Sequence, residues 1–149
     1  MTTALSRVGT APAALDASAR VTLDPAATAM VWMGPGRPHE ATAVLSARLA
    51  PGDALVEVEL STVCGSDVHT TQGHRAAPTP LVLGHEQVGR IVAASGDVLA
   101  VDGTALTVGD RVVWSIAASC GSCDRCTRGI AQKCRSLRKY GHERFEDEG

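Results

Sequence analysis

Residues 55–60 read Leu55-Val56-Glu57-Val58-Glu59-Leu60, and this stretch decides the fold class. Apolar and acidic side chains alternate in it, and a period of two residues predicts a β-strand with one solvated face. Further short β-type runs, each near a Gly or Pro, lie at 29–33, 41–45, 81–83, 89–92 and 111–114. Together they predict a mainly β barrel or sandwich, with helices only as short turns after Cys64 and after Cys123.

Length and composition set the class of protein. The chain has 149 residues, 44% apolar and 20% charged, which suits one ordinary domain with its own core. A net charge of -2 argues against a dedicated nucleic-acid binder. The sequence contains neither an uninterrupted apolar run of about 18 residues nor an apolar start of the kind that secretion requires. We therefore expect a soluble, cytoplasmic protein with no membrane partner.

The N-terminal stretch is expected to differ from the rest. Residues 1–28 are rich in Ala, Ser and Thr and show no sustained period, which predicts a mobile extension before a domain over 29–149. An organelle transit peptide is the alternative, and Asp16 and Asp24 speak against it.

Four cysteines give the most specific signal. The spacing Cys120-x2-Cys123-x2-Cys126-x7-Cys134 lets one loop surround a tetrahedral ion. A fifth thiol and the lack of an export signal point away from disulfides. Four sulfurs leave no open coordination position, so the sequence predicts a structural zinc that stabilises a lobe over about residues 115–140.

Two other interpretations of this lobe stay open. Its basic residues, which accompany a thiolate cluster of net negative charge, also suit a nucleic-acid-facing patch, although Tyr140 is the lone aromatic there. An iron-sulfur cluster is the second alternative. The ferredoxin run continues with three residues and then Cys-Pro, whereas here seven residues intervene and Arg135 follows Cys134.

A second group of metal-binding residues combines Cys64 with His85. A thiolate and an imidazole from two strand-to-loop junctions are what an open zinc site requires. Glu86, next to His85, is a possible ligand or stand-in ligand. Asp67 is placed to fix the imidazole of a liganding histidine.

Ser66 and His69 lie three residues apart at the start of a predicted short helix, so they share one face and form a path for a proton to solvent. Each residue also has a structural explanation, such as Ser66 as a helix cap. His39, His74 and His142 are interpreted as surface residues. The repeat of Gly84-His85-Glu86 as Gly141-His142-Glu143 is interpreted as coincidence.

Taken together, these motifs resemble the zinc-containing medium-chain alcohol dehydrogenases. Cys64-Gly-Ser-Asp-x-His69, Gly84-His85-Glu86, Val108-Gly-Asp-Arg-Val112 and the four-cysteine lobe follow one another in the family's order over residues 30–142. The resemblance implies a GroES-like, partly open β-barrel, two zinc ions per subunit and hydride transfer from an alcohol to NAD or NADP. Residues 119–142 look like a branch associated with phosphonate breakdown.

The resemblance also implies a role for each matching residue. Cys64 and His85 would bind the catalytic zinc with Glu86 beside it, and the four cysteines of the lobe would bind the structural zinc. Ser66 would take the proton of the alcohol, His69 would pass it to solvent, and the complete enzyme would be a homo-oligomer.

The family's third catalytic ligand and its dinucleotide-binding half fall after Gly149. No Gly-x-Gly-x-x-Gly follows a strand here, so we expect an inactive fragment that lacks the Rossmann domain. A non-catalytic zinc-binding β-barrel that interacts through its basic lobe is the alternative function. Such a module has no need for an open site at Cys64 and His85.

Overall fold

The computed structural model describes residues 3–7 and 19–145, and these residues are mainly β, as predicted. The strands are β1 (Thr3–Arg7), β2 (Ala19–Trp32), β3 (Glu40–Leu49), β4 (Asp53–Ser61), β5 (Leu81–Val82), β6 (Gln87–Ala94), β7 (Val98–Leu99), β8 (Ala105–Leu106), β9 (Arg111–Val113), β10 (Ala117–Ala118) and β11 (Arg138–Lys139). The short helix after Cys64 is α1 (Gly65–Thr71), and a 3-10 turn covers Ala131–Lys133.

Two sheets form the body of the domain. One is antiparallel with strand order β1-β4-β6-β9, and the other has the order β3-β2-β5. Two small pairs, β7-β8 and β10-β11, complete the pairing among the described residues. Among the described residues, β1 and β9 each pair on one side only, so the larger sheet does not close. Within the described residues, no helix is both long and apolar enough to cross a membrane.

Strand β4 corrects the prediction of one solvated face. Ala54 and Val56 pack with Ile91 and Val98, whereas Leu55, on the opposite face, packs with Ala47 and Leu49 of β3. All three β4 residues are about 1% exposed. Towards the end of the strand both faces become accessible: Glu59 is exposed and pairs with Arg90 and Arg111, and Leu60 is exposed as well. A strand covered by a second sheet needs apolar residues on both faces, and its own periodicity does not reveal that neighbour.

Strand β2 runs across the predicted boundary at residue 28. Residues 19–28 belong to β2 and pair with β3, and Thr3–Arg7 pairs with β4. The β2 pairing shifts register between Thr22 and Ala27, which hides the strand period from the sequence. Residues 1–2 and 8–18 of the expected extension, and 146–149 at the other end, lie outside the described residues.

The β4–β6 pairing brings the candidate site together. Its ladder ends with Ser61 opposite Gln87, and the Thr62 amide donates to the Glu86 carbonyl oxygen at 3.0 Å. Near the middle of β6, Gly89 approaches β4 closely. A Cβ atom there would meet the Glu57 carbonyl oxygen and lie 2.6 Å from Val56 Cγ1.

We predict that Gly89→Ala lowers the free energy of unfolding by about 1–3 kcal/mol, because backbone on β4 cannot move aside as a flexible side chain can. Gly65→Ala is the matched control, since a Cβ there meets nothing within 4 Å and neither glycine has a positive φ. Urea unfolding of the zinc-loaded chain measures both. Equal stability of the two variants would contradict the close approach.

Candidate metal centres

The four-cysteine lobe begins and ends at a two-residue strand pair. Ala117 pairs with Lys139 and Ala118 with Arg138, so β10 and β11 hold the two ends together. Between them the chain runs mainly through turns, with Thr127 N donating to Cys123 O and Gly129 N to Cys126 O, both at 3.0 Å. Such a segment has little apolar core to stabilise it.

The four sulfur atoms converge. The Sγ–Sγ distances are 4.0 Å for Cys120–Cys126, 3.5 Å for Cys123–Cys126 and 3.5 Å for Cys120–Cys134, and all four Sγ atoms lie within 4.8 Å of one another. A tetrahedron with zinc-sulfur bonds of about 2.3 Å has sulfur-sulfur edges of about 3.8 Å. The observed distances bracket that value, so the cysteines fit one closed zinc site.

Backbone amides surround these sulfurs as donors. Cys120 N and Ser136 N each lie 3.3 Å from Cys134 Sγ. Hydrogen bonds from the amides of Arg135 and Cys126 lower the pKa of Cys123 to about 6. Desolvation and hydrogen bonds with neighbouring thiols raise the pKa of Cys126 to about 11. Without metal, Cys123 therefore loses its proton at a lower pH than Cys126 does, whereas a divalent ion favours the thiolate form of each sulfur.

Several basic side chains of the lobe bind within the lobe itself. Arg135 forms a two-bond contact with Asp124 at 2.6 and 3.0 Å, and Arg125 donates to the Lys133 carbonyl at 2.9 Å. Arg138, by contrast, pairs with Glu143, which follows the lobe in the chain, at 3.3 Å. These contacts give the basic residues a structural role beside the thiolate cluster.

We predict that Cys134→Ser removes hydrogen-exchange protection from residues 117–139 and leaves β4 and β6 protected. Structural zinc contributes an apparent ~10–16 kcal/mol in small sites, whereas the sheets have their own apolar core. Cys64→Ser, which removes a thiol outside the lobe, is the control. Full protection of the lobe in a metal-free Cys134→Ser chain would contradict the prediction.

The second site forms at the start of α1, where Cys64 is the N-cap. The Cys64 amide donates to Asp67 Oδ2 at 3.0 Å, and the Ser66 amide donates to Cys64 Sγ at 3.3 Å. This is a capping box with a thiol in place of the usual hydroxyl. The helix start therefore fixes Cys64, Ser66 and Asp67 relative to one another.

His85 completes the group. Its Nε2 lies 3.1 Å from Cys64 Sγ, and its Nδ1 lies 3.6 Å from Asp67 Oδ1. His85 and Asp67 are 7% and 6% exposed, and neither Nδ1 nor Oδ1 has a closer hydrogen-bond partner within residues 3–7 and 19–145. Asp67 therefore lies on the Nδ1 side of the imidazole, and Nε2 faces the thiol of Cys64. In a tetrahedral zinc site the sulfur and nitrogen lie about 3.5 Å apart, so the pair fits an ion after a small widening.

Glu86 lies at the edge of this group. Its Oε2 accepts a hydrogen bond of 2.6 Å from Thr62 Oγ1. The donor atoms of this second group lie within 4.8 Å of one another and, among the described residues, belong to Cys64, Asp67 and His85. The structure therefore brings the carboxylate of Asp67, rather than that of Glu86, into the cluster.

Ser66 and His69 occupy inner and outer positions on α1. Ser66 Oγ lies 2.9 Å from Cys64 Sγ and is half-buried, whereas His69 is exposed. The His69 ring has its centroid 5.7 Å from that of His74, which is also exposed. Ser66 therefore lies beside the thiol of Cys64, and His69 lies at the surface.

A cavity of about 590 Å³ opens beside His85. Its apolar lining comes from the ends of three neighbouring strands and the segment after β9, and comprises Leu60, Val88, Val113, Trp114 and Ile116. Leu60 and Val113 are 62% and 76% exposed, values that are high for large apolar side chains. The sequence analysis did not find this cavity, because strand ends remote in sequence form it.

The position of His142 was also not predicted from the sequence. Its ring centroid lies 5.4 Å from that of His85 with the planes tilted by 31°, so the second Gly-His-Glu segment lies against the first. Burial lowers the pKa of His142, with a further contribution from the charges of Arg75 and His85. His142 is therefore half-buried beside His85, a contact that the sequence analysis did not predict, and the repeated Gly-His-Glu motif was the signal for it. His39, like His74, is exposed as expected.

Comparison with known proteins assigns the family. The model of the alcohol dehydrogenase GroES-like domain matches residues 50–149. The chain belongs to this family. Among curated proteins, 5-exo-hydroxycamphor dehydrogenase of Pseudomonas putida is 46% identical over 80 residues, which are 52% of this chain and 22% of that protein. The stretch that matches thus spans about a fifth of that relative's length.

Solved structures agree on the fold. An alcohol dehydrogenase from Thermotoga maritima matches with a TM-score of 0.67 and 33% identity, covering 77% of this chain and 32% of its own. A protein described as a zinc-binding dehydrogenase from Sinorhizobium meliloti, solved with NADP, matches with a TM-score of 0.62 and 32% identity over 78% and 32% of the chains. The predicted GroES-like, partly open β fold is confirmed.

Proposed function

We propose that this GroES-like domain is the catalytic domain of a zinc-dependent alcohol dehydrogenase that transfers hydride from an alcohol to NAD or NADP. The observation that carries the proposal is the convergence of Cys64 Sγ and His85 Nε2 at 3.1 Å, beside a hydroxyl and an apolar cavity. A purely structural module needs the lobe but has no use for this second, incomplete set of ligands.

Each metal site has its own role in this proposal. The four cysteines hold a structural zinc, and Cys64 and His85 hold the catalytic one, with Asp67 fixing the imidazole and Glu86 beside it. Zinc in such a site supplies Lewis acidity toward an alcohol oxygen. Coordination by two protein donors leaves positions for a further ligand and for substrate.

The protein's own groups then handle the proton. Ser66 Oγ, next to Cys64 Sγ, accepts the proton from the alcohol hydroxyl as it releases its own proton towards the exposed His69, whose imidazole takes up that proton and releases it to solvent. NAD or NADP would supply the acceptor for the hydride that the alcohol carbon loses. Because the cavity beside His85 is apolar, an alcohol with an apolar body suits it.

Location and assembly complete the proposal. We infer a cytoplasmic protein, since all five cysteines are free and at least four serve as metal ligands in reduced form. A homo-oligomer follows from the resemblance to medium-chain dehydrogenases.

We predict that the chain retains one zinc tightly and a second one weakly during stepwise chelation. Four thiolates close the first site, whereas the second has fewer protein donors. Elemental analysis counts the ions. Cys64→Ser should release the weak ion alone, and Cys120→Ser should release the tight one. Retention of two ions by Cys64→Ser would contradict the assignment of the second site.

We also predict that Ser66→Ala slows turnover more than His69→Ala does. Ser66 acts at the reacting oxygen, whereas water can replace His69, and such groups contribute about 10²–10⁴-fold. Steady-state rates are measured at several pH values on a protein that joins residues 1–149 to a nicotinamide-binding unit. A larger loss for His69→Ala would reverse the assigned order, and unchanged rates for both would refute the proton path.

A further inference from the structure

The chain that leaves the four-cysteine lobe returns to the loop that carries His85. We name residues 140–145 the return segment. Arg144 forms a β-bridge with Leu81, and Phe145 N donates to the Pro80 carbonyl oxygen at 2.8 Å. The return segment therefore runs alongside the residues that lead into Gly84 and His85.

The two backbones touch at a pair of glycines. A Cβ atom on Gly141 would lie 2.7 Å from the carbonyl oxygen of Gly84 and 3.0 Å from its amide nitrogen. Backbone atoms cannot rotate away as a side chain can, so only glycine fits at position 141. Gly84 also has a positive φ of 106°, which favours glycine on the other side of the contact.

His142 directly follows Gly141 in the chain, and its ring lies beside that of His85. The ring distance of 5.4 Å places an imidazole against one side of His85, whose Nε2 faces Cys64 and whose Nδ1 faces Asp67. Of these three residues beside the His85 ring, His142 alone follows the four-cysteine lobe in the chain.

The other end of the return segment is anchored to the lobe. Tyr140 N donates to the Ile116 carbonyl at 2.9 Å, which extends the β10–β11 pairing. The carboxylate of Glu143 accepts from Lys139 N at 3.0 Å and from Arg138 Nε at 3.3 Å. A continuous set of contacts therefore leads from the cysteine lobe to His85.

We propose that the return segment positions His85, with Gly141 and His142 as positioning residues, and thereby couples order in the four-cysteine lobe to metal affinity at the Cys64–His85 site. The inference rests on the proposed function in taking His85 as a metal ligand. Coupling of this kind is reciprocal, so each filled site favours the other.

Gly141→Ala and Gly129→Ala form a matched pair. Both glycines lie in or next to the lobe with φ near +70°, namely 69° and 76°, but a Cβ at Gly129 meets nothing within 4 Å. Backbone strain is therefore alike in the two variants, and only Gly141→Ala adds the collision with Gly84.

The decisive measurement titrates Co²⁺ into the full chain with zinc already in the lobe, and follows the visible absorption of cobalt bound to Cys64 while elemental analysis checks lobe zinc. We expect Gly141→Ala to weaken second-site binding by about 10–100-fold, the usual effect of disturbing a group that orients a ligand. Gly129→Ala should bind as the unmodified chain does. Equal weakening in both variants, or none in Gly141→Ala, would overturn the proposal.

Substitutions of His142 test the ring contact separately and stand in if Gly141→Ala does not fold. His142→Ala should weaken the second site, and His142→Phe, which keeps a ring there, should restore most of the affinity. Equal affinities for the two would overturn the role of the ring. NMR signals of the His85 ring, recorded without second-site metal, should shift in Gly141→Ala but not in Gly129→Ala. That readout still tests the positioning of His85 if the unmodified chain binds no second ion, a result that would refute the proposed function instead.

Discussion

The antiparallel pairing of β4 with β6 is the constraint on which the candidate site depends. Ser61 opposes Gln87, and the Thr62–Glu86 hydrogen bond continues the ladder beyond the strand ends. Cys64, two residues after Thr62, lies with its Sγ atom 3.1 Å from His85 Nε2, although 21 positions separate the two residues in the chain. A slip of one residue would turn every side chain of β4 to the opposite face and part the two ligands. The burial of Ala54, Leu55 and Val56 on both faces makes such a slip costly, so the core of the domain sets the geometry of its site.

The two metal centres differ in what stabilises them. The sheets bury apolar residues around Ile91 and Leu49, whereas the lobe depends on four sulfurs and a two-residue strand pair. Metal bound by the four cysteines would therefore take the place of an apolar core in the lobe. Because the return segment leaves the lobe and lies against Gly84 and His85, order in the lobe has a direct physical route to the open site.

Sequence patterns predicted the structural features that depend on local spacing and on short motifs. The alternation over residues 55–60 indicated β4, the cysteine spacing indicated the lobe, and the sequence from Cys64 to His69 indicated a capped helix beside a ligand. Contacts between remote segments escaped prediction. The burial of Leu55 depends on β3, the place of Glu86 depends on Thr62, and the packing of His142 on His85 depends on two glycines 57 positions apart. The register shift in β2 likewise hid a strand that a regular period would have shown.

X-ray absorption at the zinc edge distinguishes the two metal sites, because it reports the donor atoms around each zinc ion. With one equivalent of zinc, we expect four sulfur neighbours at about 2.3 Å. A second equivalent should add nitrogen or oxygen neighbours at about 2.0–2.2 Å, together with a single sulfur from Cys64. The Cys64→Ser chain should lose that second contribution and keep the first. Nitrogen or oxygen donors at the first equivalent, or a purely sulfur environment at the second, would contradict the division into a closed four-cysteine site and an open Cys64–His85 site.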